Sequence, residues 1–430
     1  MLKVAVIGGG STYTPELFQG FMSRQEELPL DELWLMDIDS ERLRIVGDFV
    51  NRLAEIGGAR FKVRLTTNQN TAITNANYII TQLRVGKMQA RREDEYLGNR
   101  HGLIGQETTG IGGMAKALRT IPVILNIAED IKKLSPQALL INFTNPSGLI
   151  TEALTRYAPQ VNSVGVCNAT LTTKMEILHR LKEHLGYEIP PSKAQIKVLG
   201  LNHLTWFYGF QVENVDYWPF IMKMIIDEMH NSDEPEFDPE TLRVLGMLPN
   251  AYLRYFYYTH RMLAKQKHWP PSRAEAVIEI EKELLNIYQN NCLLEIPEIL
   301  MARGGAYYST VATQLINAHY NNLKEIHVVN VRHKGAVKGW PHDWVLELPC
   351  QVSANGITPL PADPLPLSCA SLIGRVKAYE IMTVESAVHK SRSAAYEALL
   401  IHPLGPPADE ISNVLEDLLA TNRNYLHDYV

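Results

Sequence analysis

At 430 residues, 46% of them hydrophobic and 20% charged, with a formal charge of −6, the chain can bury more than one core, and its length sets a soft ceiling of about three domains. The charge is mild and no long basic run occurs, which argues against nucleic acid or an anionic membrane as the main partner. Four cysteines (Cys167, Cys292, Cys350, Cys369) lie too far apart for a Cys-x-x-Cys site or a compact disulfide framework.

The chain enters a strand directly after Met1, without a signal-peptide pattern. Nowhere do about 18 apolar residues run together, so a cytoplasmic enzyme with no membrane span is expected. KVAVIGG reads as a buried parallel strand, and TPELFQGFMSRQ as a helix started by Thr14 with Pro15 at its first position. DELWLMDID is a second strand, followed by the helix SERLRIVGDFVNRLAEIG. RFKVRLTTN, NYIITQLRV and ALLINFTNP are further strands between helical or loop segments. Near-continuous apolar strands alternating with helices predict a doubly wound parallel α/β sheet over residues 1–166.

Residues 167–430 predict a mixed α+β second domain. IKVLGLNHLTWFYGFQVENV reads as long alternating strands, with His203 inside one of them, and RAEAVIEIEKELLNIYQNN as a strong helix. HVVNVRHKG and WVLELPCQVSANGI resemble antiparallel strands, and PLPADPLPLSC a Pro-rich loop. Two long helical patterns close the chain, from about Leu372 to Leu400 and from Ala408 to Asn424.

Several stretches carry residues suited to chemistry. Gly8 permits a tight turn after the first strand, and Gly10 lets the backbone approach a pyrophosphate at a helix N-terminus. Tyr13 stands where the third glycine of G-x-G-x-x-G is usual, so the loop is longer or the helix starts later. Asp37, closing the second strand, is placed to accept hydrogen bonds from a ribose. In NFTNPSG, Asn145 either contacts a ligand at the carboxyl end of the sheet or closes an Asx-turn on its own backbone. Cys167 and His203 either share a borderline divalent cation or sit inert in the core. Glu107, in the glycine-rich loop HGLIGQETTGIGG, suits the N-terminus of the apolar helix that follows. Arg91 lies in the charged run ARREDE, as a solvated face or turned inward to a phosphate. PNAYLRYFYYTHRM crowds Tyr252, Tyr255, Tyr257 and Tyr258 together, of which at most one is expected to do chemistry.

Taken in order, VIGGGSTYTPEL, IGQETTGIGG, NFTNPSG, VGVCNA, GLNHLTW, PNAYLRYF and IHPLGPP resemble glycoside hydrolase family 4 along nearly the whole chain. The Cys167-Asn168 pair looks like that family's 6-phospho-β-glucosidase branch. The resemblance implies a Rossmann-type domain followed by a lactate/malate-dehydrogenase-like α+β domain. It also implies NAD with a divalent metal, usually Mn²⁺, in place of the usual two carboxylates. The sugar would be oxidised at C3, lose its C2 proton to a tyrosine, eliminate the aglycone and be re-reduced after water adds.

On this resemblance Cys167 and His203 hold the metal, Tyr252 is the base, and Glu107 accepts a hydrogen bond from the tyrosine system. Asn168 stands where the family's 6-phospho-α-glucosidase branch carries an acid. Gly8, Gly10, Ser11, Thr12 and Asp37 hold NAD, while Arg91, Asn145 and Arg273 bind the 6-phosphorylated β-glucoside, Arg273 at the phosphate. A homodimer or homotetramer is expected. The rival readings are an NAD-dependent dehydrogenase of the lactate or malate type, which would need no metal, and a non-catalytic NAD sensor.

Overall fold

The computed structural model describes residues 1–304 and 307–429. Six short strands build the first half: β1 (Leu2–Ile7), β2 (Leu30–Met36), β3 (Lys62–Thr66), β4 (Tyr78–Thr81), β5 (Leu139–Asn142) and β6 (Asn162–Gly165). They run parallel in the spatial order β3-β2-β1-β4-β5-β6, the order of a doubly wound dinucleotide fold. β1, β4 and β5 are buried along their whole length, because helices cover both faces of the sheet and leave no side of these strands wet. The longest of the first-half helices, Gly110–Leu134, is long and apolar enough to cross a membrane by length and composition, but 78% of its most apolar window is buried inside the fold.

The second half extends the same sheet. Its strands are β7 (Ala194–Leu201), β8 (Leu204–Val212), β9 (Val215–Asp216), β10 (Leu248–Pro249), β11 (Glu325–Arg332), β12 (Val345–Ser353) and β13 (Gly356–Pro359). β11 joins the parallel half antiparallel to β6, with Asn330 opposite Gly165, and β12 meets β7 with Glu347 opposite Gly200. One sheet of 13 strands therefore runs through the described residues. Gly165 is needed at this seam: a Cβ there would lie 3.0 Å from Asn330 Cβ and from Ser147 Oγ.

Two expectations are corrected. His203 is not inside a strand; it is the second residue of the two-residue turn between Leu201 and Leu204, with φ +64°. The apolar alternation of GLNHLTW runs through this turn, so periodicity alone does not reveal it. The helical pattern from Leu372 to Leu400 is two helices, Leu367–His389 and Arg392–Ile401. Lys390 takes a left-handed conformation between them, and Ser391 caps the second by accepting the Ala394 N–H. No glycine or proline marks the break, which is why the pattern reads as continuous.

Buried charge locks the halves together. Lys377, fully buried on the helix Leu367–His389, sits 2.6 Å from both Glu152, on the helix Ser147–Tyr157, and Glu380. Replacing the lysine leaves Glu380 without its cation and Glu152 with Arg156 alone (2.7 Å), a loss on the order of 3–5 kcal/mol. Lys377→Met is expected to lower the melting temperature by several degrees in calorimetry; a melting temperature equal to the parent's would show that this ion cluster does not hold the halves.

A second tie orients the helix Arg273–Tyr288. Ser272 and Glu275 form a capping box at its start, and Glu275 also accepts from Arg92 (2.9 Å) and Tyr96 (2.8 Å) on the helix Lys87–Arg100. The Arg92 bond first, then the Ser272 N–H, pull the Glu275 carboxyl down to about 2. A depressed carboxylate contributes stability above its unfolded pKa, roughly 4.3, and loses it as pH falls through the folded value. Glu275→Gln should therefore melt lower than the parent at neutral pH, with the gap narrowing as pH falls below about 4.3 toward 2. A gap that stays constant through that window would refute the assignment.

Candidate active site

The carboxyl ends of β1 and β4 open into a cavity of about 1060 Å³ that continues past the end of β6 to the turn between β7 and β8. At the β1 end, Gly8 has φ +97°, and a Cβ on it would come within 2.9 Å of the Gln82 carbonyl. The Gly10 N–H donates to Asp37 Oδ2 (2.9 Å), and Asp37 Oδ1 accepts the Asp39 N–H (3.0 Å). Gly8, Gly10, Ser11 and Asp37 all face the cavity. This cradle of small residues at a helix start, beside a carboxylate ending β2, fits the pyrophosphate and ribose of a dinucleotide.

Thr12, expected to share that role, is fully buried and not on the cavity wall, and its carbonyl accepts from Tyr288 (2.9 Å). The missing third glycine has a physical explanation. The helix begins only at Thr14, and Tyr13 packs against Tyr308 (5.6 Å) and beneath the Arg303 guanidinium (4.5 Å). Close packing falls to Gly9 instead, where a Cβ would lie 2.8 Å from Leu35 Cβ.

Farther in, Cys167 follows β6 and Asn168 stands at the N-cap position of the helix Ala169–Leu185, both on the cavity wall. Cys167 Sγ lies 3.5 Å from His203 Nε2. Two ligands bonded to one cation at roughly 2.3 Å (S) and 2.1 Å (N) stand about 3.1–3.6 Å apart. The donor pair thus fits a shared divalent ion, with the open cavity left for other ligands. Among the described residues no group of three or more His, Cys, Asp or Glu forms a closed metal cage. Burial pushes the Cys167 thiol up to about 12 and the His203 imidazole down to about 4, so the ring is neutral at pH 7.

Tyr252, in a short 3₁₀ turn (Ala251–Leu253), stacks flat on His203 at 3.8 Å and 2°. Its phenol is pushed up, chiefly by burial and then by Cys167 and Glu107, while Arg91 pulls it down. Tyr255 also reaches the cavity, 6.3 Å from Tyr252. The other two tyrosines are structural: Tyr257 accepts from Trp206, and Tyr258 bridges Asp238 and Thr241.

The remaining wall is charged. Glu107 is held by Arg84, by Arg91 (3.2 Å) and by Lys116 (2.6 Å). The tyrosine hydrogen bond expected at Glu107 is therefore replaced by three cations, which hold its carboxyl well below the usual range despite burial. Arg91 also binds Glu95 (2.9 Å), whose other oxygen accepts the Ala274 N–H. Arg84 and Lys116 escape the sequence reading, although a lysine within GIGGMAKALRT, on an otherwise buried helix, is a signal that a partner is required. Asn145 does both things considered for it. Its Oδ1 accepts the Ser147 N–H (3.3 Å) in an Asx-turn, and the residue lines the cavity. Arg273 lines it too, with one guanidinium nitrogen donating to the Ala302 (3.0 Å) and Arg303 (2.9 Å) carbonyls.

The model for the family 4 glycosyl hydrolases matches residues 3–183, and that for the family's C-terminal domain matches residues 198–405. The chain is similar to a 6-phospho-β-glucosidase of Escherichia coli, 34% identical and covering 100% of this chain and 97% of that one. A solved 6-phospho-β-glucosidase structure from Thermotoga maritima, with manganese, NAD⁺ and glucose 6-phosphate, is 36% identical and covers 99% of both chains at a TM-score of 0.92. A lactate dehydrogenase from Eimeria maxima shares the fold alone, at 16% identity and a TM-score of 0.55. Two family models in tandem over most of the length, and relatives above 30% identity end to end, place this chain in family 4 of the glycosyl hydrolases.

Proposed function

We propose that this chain hydrolyses 6-phospho-β-glucosides, such as cellobiose 6-phosphate, to glucose 6-phosphate with NAD and a divalent metal such as Mn²⁺. The observation that carries this reading is the single cavity that joins the glycine turn and Asp37 to Cys167, His203 and Tyr252. A dehydrogenase of the lactate or malate type has use for the first group and none for the second. In this reading residues 1–166 form the NAD-binding domain and 167–430 the metal- and substrate-binding domain, with Arg91 and Asn145 reaching the substrate from the first, and the enzyme acts in the cytoplasm as a homodimer or homotetramer.

NAD, when bound, supplies reversible hydride exchange at sugar C3 that acidifies C2–H, and a cation on Cys167 and His203 polarises the sugar oxygens. Gly8, Gly10, Ser11 and Asp37 orient the cofactor. Tyr252 Oη takes the C2 proton and later returns one, and Arg91, beside it, favours the phenolate. Glu107 keeps Arg84, Arg91 and Lys116 in place along that wall. Asn145 and Arg91 position the sugar, and Arg273 meets the phosphate with the guanidinium N–H groups its carbonyl bonds leave open. Asn168 can donate a hydrogen bond to the aglycone oxygen, but an amide does not transfer a proton to it.

Proton abstraction at C2 leaves an isotopic record. Hydrolysis in D₂O should place deuterium at C2 of the glucose 6-phosphate, with no net reduction of NAD⁺. Tyr252→Phe should fold normally and lose on the order of 10²–10⁴ in turnover. Product without deuterium at C2 would rule out this chemistry.

Phosphate recognition is tested with aryl β-glucosides. Arg273→Ala should raise KM for the 6-phosphorylated substrate roughly tenfold or more, the effect of one lost charge-assisted contact. Equal cleavage of phosphorylated and unphosphorylated substrates by the parent enzyme would sink the assignment.

A further inference from the structure

The segment IGQETTGIGG contributes more than Glu107. It folds back over the first turn of the helix Gly110–Leu134, and Gly112 and Gly113 make this possible. A Cβ on Gly112 would collide with the Gln106 carbonyl, and one on Gly113 would lie 2.6 Å from the Thr108 backbone. The fold-back brings the Thr108 hydroxyl 3.0 Å from His203 Nδ1, on the far side of the ring from Cys167.

The direction of that hydrogen bond is set by its neighbours. Gln106 Oε1 receives the backbone N–H groups of Thr108 and Thr109. Two converging N–H donors require an acceptor, so this atom is the amide oxygen and not the nitrogen. Thr108 Oγ1 lies 2.8 Å from the same oxygen, and that contact requires the hydroxyl hydrogen between them. The hydroxyl then has only lone pairs left for His203, so Nδ1 must carry the ring hydrogen and donate. A neutral imidazole with its hydrogen on Nδ1 has its free lone pair on Nε2, the nitrogen that faces Cys167 Sγ.

We infer that Thr108, itself held by Gln106, is a positioning residue that fixes His203 in the Nδ1–H tautomer and so prepares Nε2 to bind the divalent cation. The inference rests on the metal reading above. Such partners behind a ligating histidine set ring orientation and ligand basicity.

The test is Mn²⁺ binding to the full chain with NAD, followed by electron paramagnetic resonance, so that it does not depend on turnover. Thr108→Val keeps the shape and removes the acceptor, and should raise the Mn²⁺ dissociation constant roughly 10–100-fold, while Thr108→Ser restores binding to near the parent value. NAD affinity should be the same in all three, which a general disturbance of the site would not allow. Should the valine variant fail to fold, Thr108→Ala carries the same expectation. Cys167→Ser and His203→Ala separate the two readings. If these bind Mn²⁺ as the parent does, the metal site and this inference fall together. If they lose Mn²⁺ while Thr108→Val and Thr108→Ala bind as tightly as the parent, the role of Thr108 alone falls.

Discussion

Glu347 leaves water near the start of β12 and is met by three neutral donors: Thr170 (3.0 Å), Asn202 (2.9 Å) and Asn330 (3.2 Å). Burial raises its carboxyl above the ordinary range, and each of these hydrogen bonds offsets part of that cost. The donors are not scattered. Thr170 stands on the helix that begins after Cys167-Asn168, Asn202 immediately precedes His203, and Asn330 pairs with Gly165 at the end of β6. Satisfying one buried acid therefore draws together the two segments that carry the thiol and the imidazole, and the 3.5 Å between Cys167 and His203 depends on it.

The same seam explains where the cavity lies. The parallel half alone would present a dinucleotide crevice at the ends of β1 and β4, as open doubly wound sheets do. Antiparallel strands added beyond β6 extend the floor of that crevice without a break, so the turn between β7 and β8 projects into it. The glycine turn and the thiol–imidazole pair thus border one continuous cavity.

The charged wall has a different logic. Burying Glu107 with Arg84, Arg91 and Lys116 carries a desolvation cost that a hydrophobic patch would avoid. Burial brings Lys116 down to about 7 even with the carboxylate beside it. An excess of cation facing the cavity suits an anionic ligand. Without added positive charge the Tyr252 phenol stays protonated at neutral pH, since burial pushes it up. In the proposed reaction its work as a base would therefore call for a cation at its stacking partner, His203, in addition to Arg91.

Much of the first half was legible in the residues themselves. Continuous apolar runs marked β1, β4 and β5, and glycines after β1 marked the turn, because burial and backbone sterics act within a few residues. The ordered motifs pointed to the family, and the candidate residues they named, Thr12 excepted, line one cavity. What the residues left open was settled over distance. Thr12 turns from the cavity toward Tyr288, Glu107 takes Arg84 and Arg91 in place of a tyrosine, and His203 occupies a turn its alternating neighbours conceal. Periodicity records which face of an element is buried. Which atoms then meet depends on the order of strands in the sheet, and that order brings Gly165 beside Asn330 and Cys167 beside His203.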